Sequence, residues 1–259
     1  MHTLRNIRLA PGDCRETRHL RSLRRIQLLM GKALIRTFEA VSGRRAKSRK
    51  FRCDDVELET SKASHAPYEY DADLGLDTSR PVSLAGLDVE FRTGVLGTNY
   101  QRTRPTVLRN ILGGLSIEWA NYSFIDVGCG KGLPLFVASE FPFKNVLGIE
   151  FSAELCAIAQ ANIEHLRRTL NRGFNISVLC ADAVKADIPA GPLVIYLFNP
   201  FKGPILRKFL RNIQASYQRS KRDILFLYLF PMYSDVFRDF TIFDCVKESS
   251  HYSIFRTSS

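Results

Sequence analysis

The chain has 259 residues, 45% of them hydrophobic and 24% charged, with a formal net charge of +11. That length accommodates one α/β domain with an appendage, and the composition excludes a disordered or fibrous chain. No apolar run reaches the roughly 18 residues that a bilayer span requires, and Cys14, Cys53, Cys129, Cys156, Cys180 and Cys245 form no zinc-ligand spacing. A cytoplasmic protein with reduced thiols, no membrane span and no metal is expected, with Cys156 and Cys180 as small core residues.

The charge is not evenly spread. Residues 1–52 hold fifteen Lys and Arg against three Asp and Glu, a net of +12, so the remaining 207 residues are close to neutral at −1. Leu20, Leu23, Ile26 and Met30 approximate one helical face in this segment, with Arg18, Arg21, Arg25 and Lys32 largely elsewhere. Residues 1–52 are therefore read as a basic, helical N-terminal extension. Three roles compete for it: an accessory helix with a solvated tail, an electrostatic contact with an anionic partner (RNA, DNA or lipid), and an organelle-targeting peptide.

Residues 53–121 form an irregular pre-core segment, with a helix expected over Thr106–Leu112 and ended by Gly113 and Gly114. Residues 122–259 then alternate regularly. Strands are expected at Ser123–Val127, Asn145–Ile149, Ile176–Cys180, Leu193–Phe198 and Ile224–Phe230. Helices are expected at Leu133–Glu140, from a Ser152 cap to about Leu170, and at Pro204–Tyr217. Phe240–Val246 and His251–Arg256, joined by the polar turn Lys247–Ser250, read as a hairpin. Repeated β-α units with apolar strands imply an α/β, Rossmann-like, doubly wound and mostly parallel seven-stranded sheet, closed by a C-terminal antiparallel hairpin.

Asp126-Val127-Gly128-Cys129-Gly130-Lys131-Gly132 lies where the first core strand hands over to a helix. Open α/β sheets bind ligands in that crevice. Glu150 ends the next strand, about 20 residues on, where an acid can grip ribose hydroxyls. A dinucleotide fingerprint, G-x-G-x-x-G/A counted from Gly128, would need its third small residue at Leu133; the third glycine is instead Gly132. An acid at Asp126 suits a ligand with a cationic amino group and sulfonium better than a phosphate.

On these residues the stretch from about Tyr68 to Arg256 resembles class I S-adenosylmethionine-dependent methyltransferases, particularly a largely uncharacterised bacterial group with an LFNPF motif. The first glycine motif of that family matches Asp126–Gly132, its ribose acid matches Glu150, and its adenine-site acid matches Asp182, followed by Ala183. The motif after the fourth strand matches Leu197-Phe198-Asn199-Pro200-Phe201, and a loop with Tyr100 resembles the segment that closes over the cofactor. The resemblance implies cofactor binding by Asp126, Gly128, Cys129, Gly130, Gly132, Glu150, Asp182, Ala183 and Asn199, with Asn199, Pro200, Phe201 and Tyr100 on the acceptor side. In relatives with an Asn-Pro-Pro-aromatic loop, the Asn side chain and Pro carbonyl accept hydrogen bonds from the amine being methylated. This chain has one proline there, and Asn199 can equally close the turn.

The structural alternatives are a solvated strand-end acid for Glu150, a turn or cap role for Asp182, a small loop residue for Cys129 and a solvated Lys131. Tyr100, Asp71 and Asp77 are the nearest polar candidates for a general base, and the five histidines form no constellation. The expected activity is methyl transfer from S-adenosyl-L-methionine, with nitrogen as the acceptor atom, to a protein, a small amine or a nucleic acid. The competing readings are a non-catalytic S-adenosylmethionine-binding module and an aminopropyltransferase-like enzyme on the same fold.

Overall fold

The computed structural model describes residues 71, 74–79, 104–170 and 175–258. The expected basic extension and the loop with Tyr100 lie outside the described residues.

The described core is a seven-stranded sheet in the order β3-β2-β1-β4-β5-β7-β6. Its strands are β1 (Ser123–Val127), β2 (Asn145–Glu150), β3 (Ile176–Cys180), β4 (Leu193–Leu197), β5 (Ile224–Leu229), β6 (Phe243–Glu248) and β7 (Tyr252–Thr257). The helices are α1 (Pro105–Gly113), α2 (Leu133–Ala138), α3 (Ala153–Leu170) and α4 (Gly203–Arg219). β1 to β5 run parallel, and β7 pairs antiparallel with both β5 and β6. The expected doubly wound sheet with a terminal antiparallel hairpin is observed.

Sequence explains position within the sheet. β1, β4 and β5 are apolar throughout apart from Ser123, Asp126 and the tyrosines, and every residue in them is buried. Strands covered on both faces must read this way. β3 and β6 keep one buried residue each, as edge strands can. Helix α4 turns Leu206, Phe209, Leu210 and Ile213 into the core, each worth roughly 1.5–3 kcal/mol in removed apolar surface.

Element ends differ modestly from expectation. α2 stops at Ala138, not Glu140, and Glu140 instead takes Arg109 of α1 in a two-pronged ion pair. β6 starts at Phe243 because Ser234–Asp239 forms an unforeseen 3-10 turn, which stacks Phe237 on Phe255 at 3.9 Å. Cys180, expected in the core, is exposed at the end of edge strand β3. Among the described residues no helix is long and apolar enough to cross a membrane.

The chain reverses direction across the sheet between β1 and β4. From β1 it moves outward through β2 and β3, then returns to pair β4 with the other side of β1. Such a switch point, at the carboxyl ends of the strands, is where open α/β sheets bind ligands.

Candidate functional site

The loop after β1 is built for close backbone approach. Gly128, Gly130 and Gly132 have φ of 78, 53 and 90°, a left-handed region that penalises side chains. A Cβ on Gly128 would stand 3.0 Å from Cβ of Pro200, so the loops after β1 and β4 touch there. The Gly128 and Cys129 N–H groups both donate to the Ile149 carbonyl, at 2.8 and 3.2 Å, tying the loop to β2. Gly148 completes this packing: a Cβ there would fall 2.5 Å from Cys129 Sγ and 2.8 Å from Leu135 Cδ1.

Glu150 stands at the carboxyl end of β2, 4% exposed. Its Oε2 accepts from the Gly130 N–H at 2.8 Å and its Oε1 from the Ser152 N–H at 2.9 Å. It is a buried hub rather than a solvated strand-end acid, and it also holds the glycine loop in place. A carboxylate offers about four lone-pair sites, so acceptor capacity is left for a diol. Burial pushes its pKa up, and the backbone N–H groups of Ser152, Gly130 and Phe151 partly restore the ionised form.

Asp126 is more deeply placed, at 2% exposure on β1. Its Oδ2 is buried and, among the described residues, has no hydrogen-bond partner. Burial, and then the neighbouring Glu150 charge, hold its pKa well above the usual carboxylate range. Two buried acids thus flank one glycine loop, and one of them carries an unsatisfied oxygen. Buried polar atoms are normally partnered, and an added cation would relieve both the desolvation and the repulsion.

The other expected residues divide. Cys129 is buried, and burial followed by the Asp126 and Glu150 charges keeps its thiol protonated, consistent with a packing role. Asp182 Oδ1 accepts from the Val184 N–H at 2.9 Å, so the side chain closes its own turn. Ala183 is buried in the main core, leaving only its backbone for a ligand. Asn199 has φ of 48°; its Nδ2 donates to the Phe230 carbonyl at 2.6 Å, and its Oδ1 accepts from the Met232 N–H at 3.3 Å. Pro200 lies over Gly128, while Phe201 packs inward, 5.5 Å from Phe209. Tyr100 lies outside the described residues.

Several groups around the loop belong to no motif. Lys131 is not solvated but 5% exposed, with Nζ 2.8 Å from Asp77 Oδ1. Asn162, buried on α3, donates to the carbonyls of Asp77 and Lys131 at 2.9 and 3.1 Å and accepts from the Asp77 N–H at 3.0 Å. The pre-core residues around Asp77 are thereby fastened to the glycine loop. Asp71, considered as a base, accepts hydrogen bonds from Thr78 and Ser79 instead. Asn162 was detectable as a polar residue at helical spacing between Ala159 and Leu166. Phe151, next to Glu150, is 57% exposed and presents a large apolar ring at the site's edge. Among the described residues no group of three or more His, Cys, Asp or Glu could hold a metal ion.

The core of the chain has counterparts among known proteins. Residues 120–193, less than half of the chain, match the sequence model of a family described as "Putative methyltransferase". That span contains Asp126–Gly132, Glu150 and Asp182. No curated protein matches the chain. Similar solved structures include ribosomal protein L11 methylase from Lactobacillus delbrueckii subsp. bulgaricus (16% identity, TM-score 0.43, covering 62% of this chain and 81% of that one). Another is an RNA methyltransferase from Salinibacter ruber in complex with S-adenosyl-L-homocysteine (16%, 0.40, 61% and 92%). A third is magnesium protoporphyrin IX methyltransferase from Synechocystis PCC 6803 with bound cofactor (12%, 0.44, 68% and 94%). At these identities and scores the likenesses carry no argument about activity or acceptor.

Proposed function

We propose that the chain is an S-adenosyl-L-methionine-dependent methyltransferase whose cofactor lies in the crevice between the loops after β1 and β4. One observation carries this reading: the glycine loop is flanked by two buried acids, Asp126 and Glu150, and Asp126 Oδ2 has no hydrogen-bond partner among the described residues. A pyrophosphate placed there would add negative charge beside Glu150 and hold Asp126 still further from ionising. A ligand with an ammonium and a sulfonium supplies the missing positive charge.

In this reading Asp126 balances the cationic methionyl end, and the Gly128–Gly132 backbone lines it. Glu150 uses its remaining acceptor sites for the ribose hydroxyls. Asp182, with Oδ1 committed to Val184, serves the adenine amine through its other oxygen, and the exposed Phe151 ring covers the base. The cofactor supplies an electrophilic methyl group on a good leaving group. The protein therefore contributes mainly positioning and exclusion of water.

The acceptor approaches from the Asn199-Pro200 side, with nitrogen as the atom methylated. Because both ends of the Asn199 amide bond the loop after β5, Asn199 acts first as a brace. Its remaining Oδ1 lone pair and the Pro200 carbonyl are the acceptor-facing groups. The +12 charge of residues 1–52 suits an anionic partner for that segment. Binding to such a partner should weaken steeply with salt and be lost on deletion of residues 1–52.

The test is incubation of the full chain with methyl-labelled cofactor and a fractionated lysate. Label entering one class of acceptor supports transfer and identifies that class. Tight cofactor binding without transfer to any fraction would favour the non-catalytic binding module.

A further inference from the structure

We propose that Cys156 and Cys180 are an oxidisable thiol pair, closed by a peroxide into a disulfide directly behind the Glu150 carboxylate. The chain brings them together from two elements. Cys156 lies in the first turn of α3, where its N–H donates to the Ser152 carbonyl at 2.9 Å. Its Sγ lies 3.3 Å from the Glu150 carbonyl oxygen. Cys180 ends β3, and its Cα is the register partner of Glu150 in the parallel β2–β3 pair. The two cysteines thus meet at one backbone unit: the Glu150 carbonyl takes Cys156 Sγ on one side and, at 2.9 Å, the N–H of Ala181, the residue after Cys180, on the other.

The pair is asymmetric. Cys180 is exposed at the edge of the sheet, whereas Cys156 is 3% exposed. Burial and the neighbouring thiol push Cys156 up to about 12, so Cys180 meets the oxidant first and Cys156 resolves it. Peroxide converts the Cys180 thiol to a sulfenic acid and releases one water. The Cys156 sulfur then attacks the Cys180 sulfur, the S–O bond breaks, a second water leaves and the S–S bond forms. Two thiols and one hydrogen peroxide become one disulfide and two waters.

The bridge acts on the site through Glu150. The Glu150 carbonyl accepts from Cys156 Sγ and from the Ala181 N–H at 2.9 Å. Its carboxylate holds Gly130 and Ser152. Closing the bridge removes the Cys156 S–H donor and draws the first turn of α3 toward the end of β3. Both shifts move the unit that carries the carboxylate. This consequence rests on the cofactor reading above; formation of the bridge does not.

The experiment treats the full chain with hydrogen peroxide, then maps cysteine-containing peptides without reduction and titrates S-adenosyl-L-methionine by calorimetry. The expected result is a peptide linking Cys156 to Cys180, lighter by about 2 Da and reversed by dithiothreitol. Affinity for the cofactor should fall about tenfold in the oxidised protein. Cys180→Ser should keep full affinity after peroxide, and Cys156→Ser should carry Cys180 on to the sulfinic acid. Cys245, exposed on β6, reports general thiol oxidation. Oxidation of Cys180 with Cys156 left as a free thiol would overturn the pair. A linked peptide with unchanged affinity would overturn its effect on the site. If the reduced protein fails to bind the cofactor while the bridge forms, the cofactor reading fails and the thiol pair stands.

Discussion

Asn199 donates a 2.6 Å hydrogen bond from its side chain to the carbonyl of Phe230, and both residues hold the left-handed conformation, at φ of 48 and 44°. A bulky aromatic residue rarely occupies that region, so the bond joins two strained turns, one after β4 and one after β5. The Phe230 N–H donates to the carbonyl of His251, the residue before β7, at 2.7 Å.

Asn199→Ala should therefore lower stability by about 1–3 kcal/mol, combining two lost side-chain hydrogen bonds with the left-handed cost of alanine. Asn199→Gly should lose less, because glycine tolerates that φ. Urea melts measure both. If Asn199 also faces the acceptor, the glycine variant should retain cofactor affinity while its turnover falls.

Gly148→Ala places a methyl group against Cys129 Sγ and Leu135 Cδ1, inside normal contact distance for both. Overpacking of this kind costs about 1–3 kcal/mol. Because Cys129 belongs to the glycine loop, cofactor affinity should fall along with the urea midpoint. A variant with wild-type midpoint and affinity would show that the loop tolerates displacement.

Asn162→Leu removes the three hydrogen bonds that fasten Asp77 to Lys131 and α3. At about 1 kcal/mol net for each, the loss should be near 3 kcal/mol in urea melts. Limited proteolysis should also cut the chain before α1 faster than in the wild type.

Much of the architecture was legible because strand burial writes itself into composition. Val, Ile, Leu and Phe fill most of β1, β4 and β5, and all three glycines of the motif, Gly128, Gly130 and Gly132, have positive φ. Glu150 was legible by spacing. The clamp of Asp77, Lys131 and Asn162 was not, because it joins residues 54 and 31 positions apart. A lysine beside a loop reads as solvated until its partner is seen. The sequence around Asn199 fits both an acceptor-facing and a turn-closing role, and its hydrogen bonds favour the turn-closing one. Cys180 was misplaced because the pattern of a strand does not reveal whether it lies at a sheet edge.

The raised pKa values of Asp126 and Glu150 fix the sign of a pH effect. In the unfolded chain both ionise near ordinary carboxylate values, whereas the folded protein retains their protons to higher pH. Folding thus binds protons, and without ligand these two groups make stability fall as pH rises from about 4 through their folded values. Asp126→Asn should flatten that slope and stabilise the unliganded protein at neutral pH. Thermal melts across this range check both statements.

The most direct test is calorimetry of S-adenosyl-L-methionine against NAD on the full chain, in two buffers of different ionisation enthalpy near pH 6. S-adenosyl-L-methionine should bind with proton release, because its positive charge draws Asp126 into the ionised form. NAD should bind far more weakly, and Asp126→Asn should lose both the affinity and the proton release. Tighter binding of NAD, or wild-type affinity for S-adenosyl-L-methionine in Asp126→Asn, would contradict the assignment of this crevice to a cationic methyl donor.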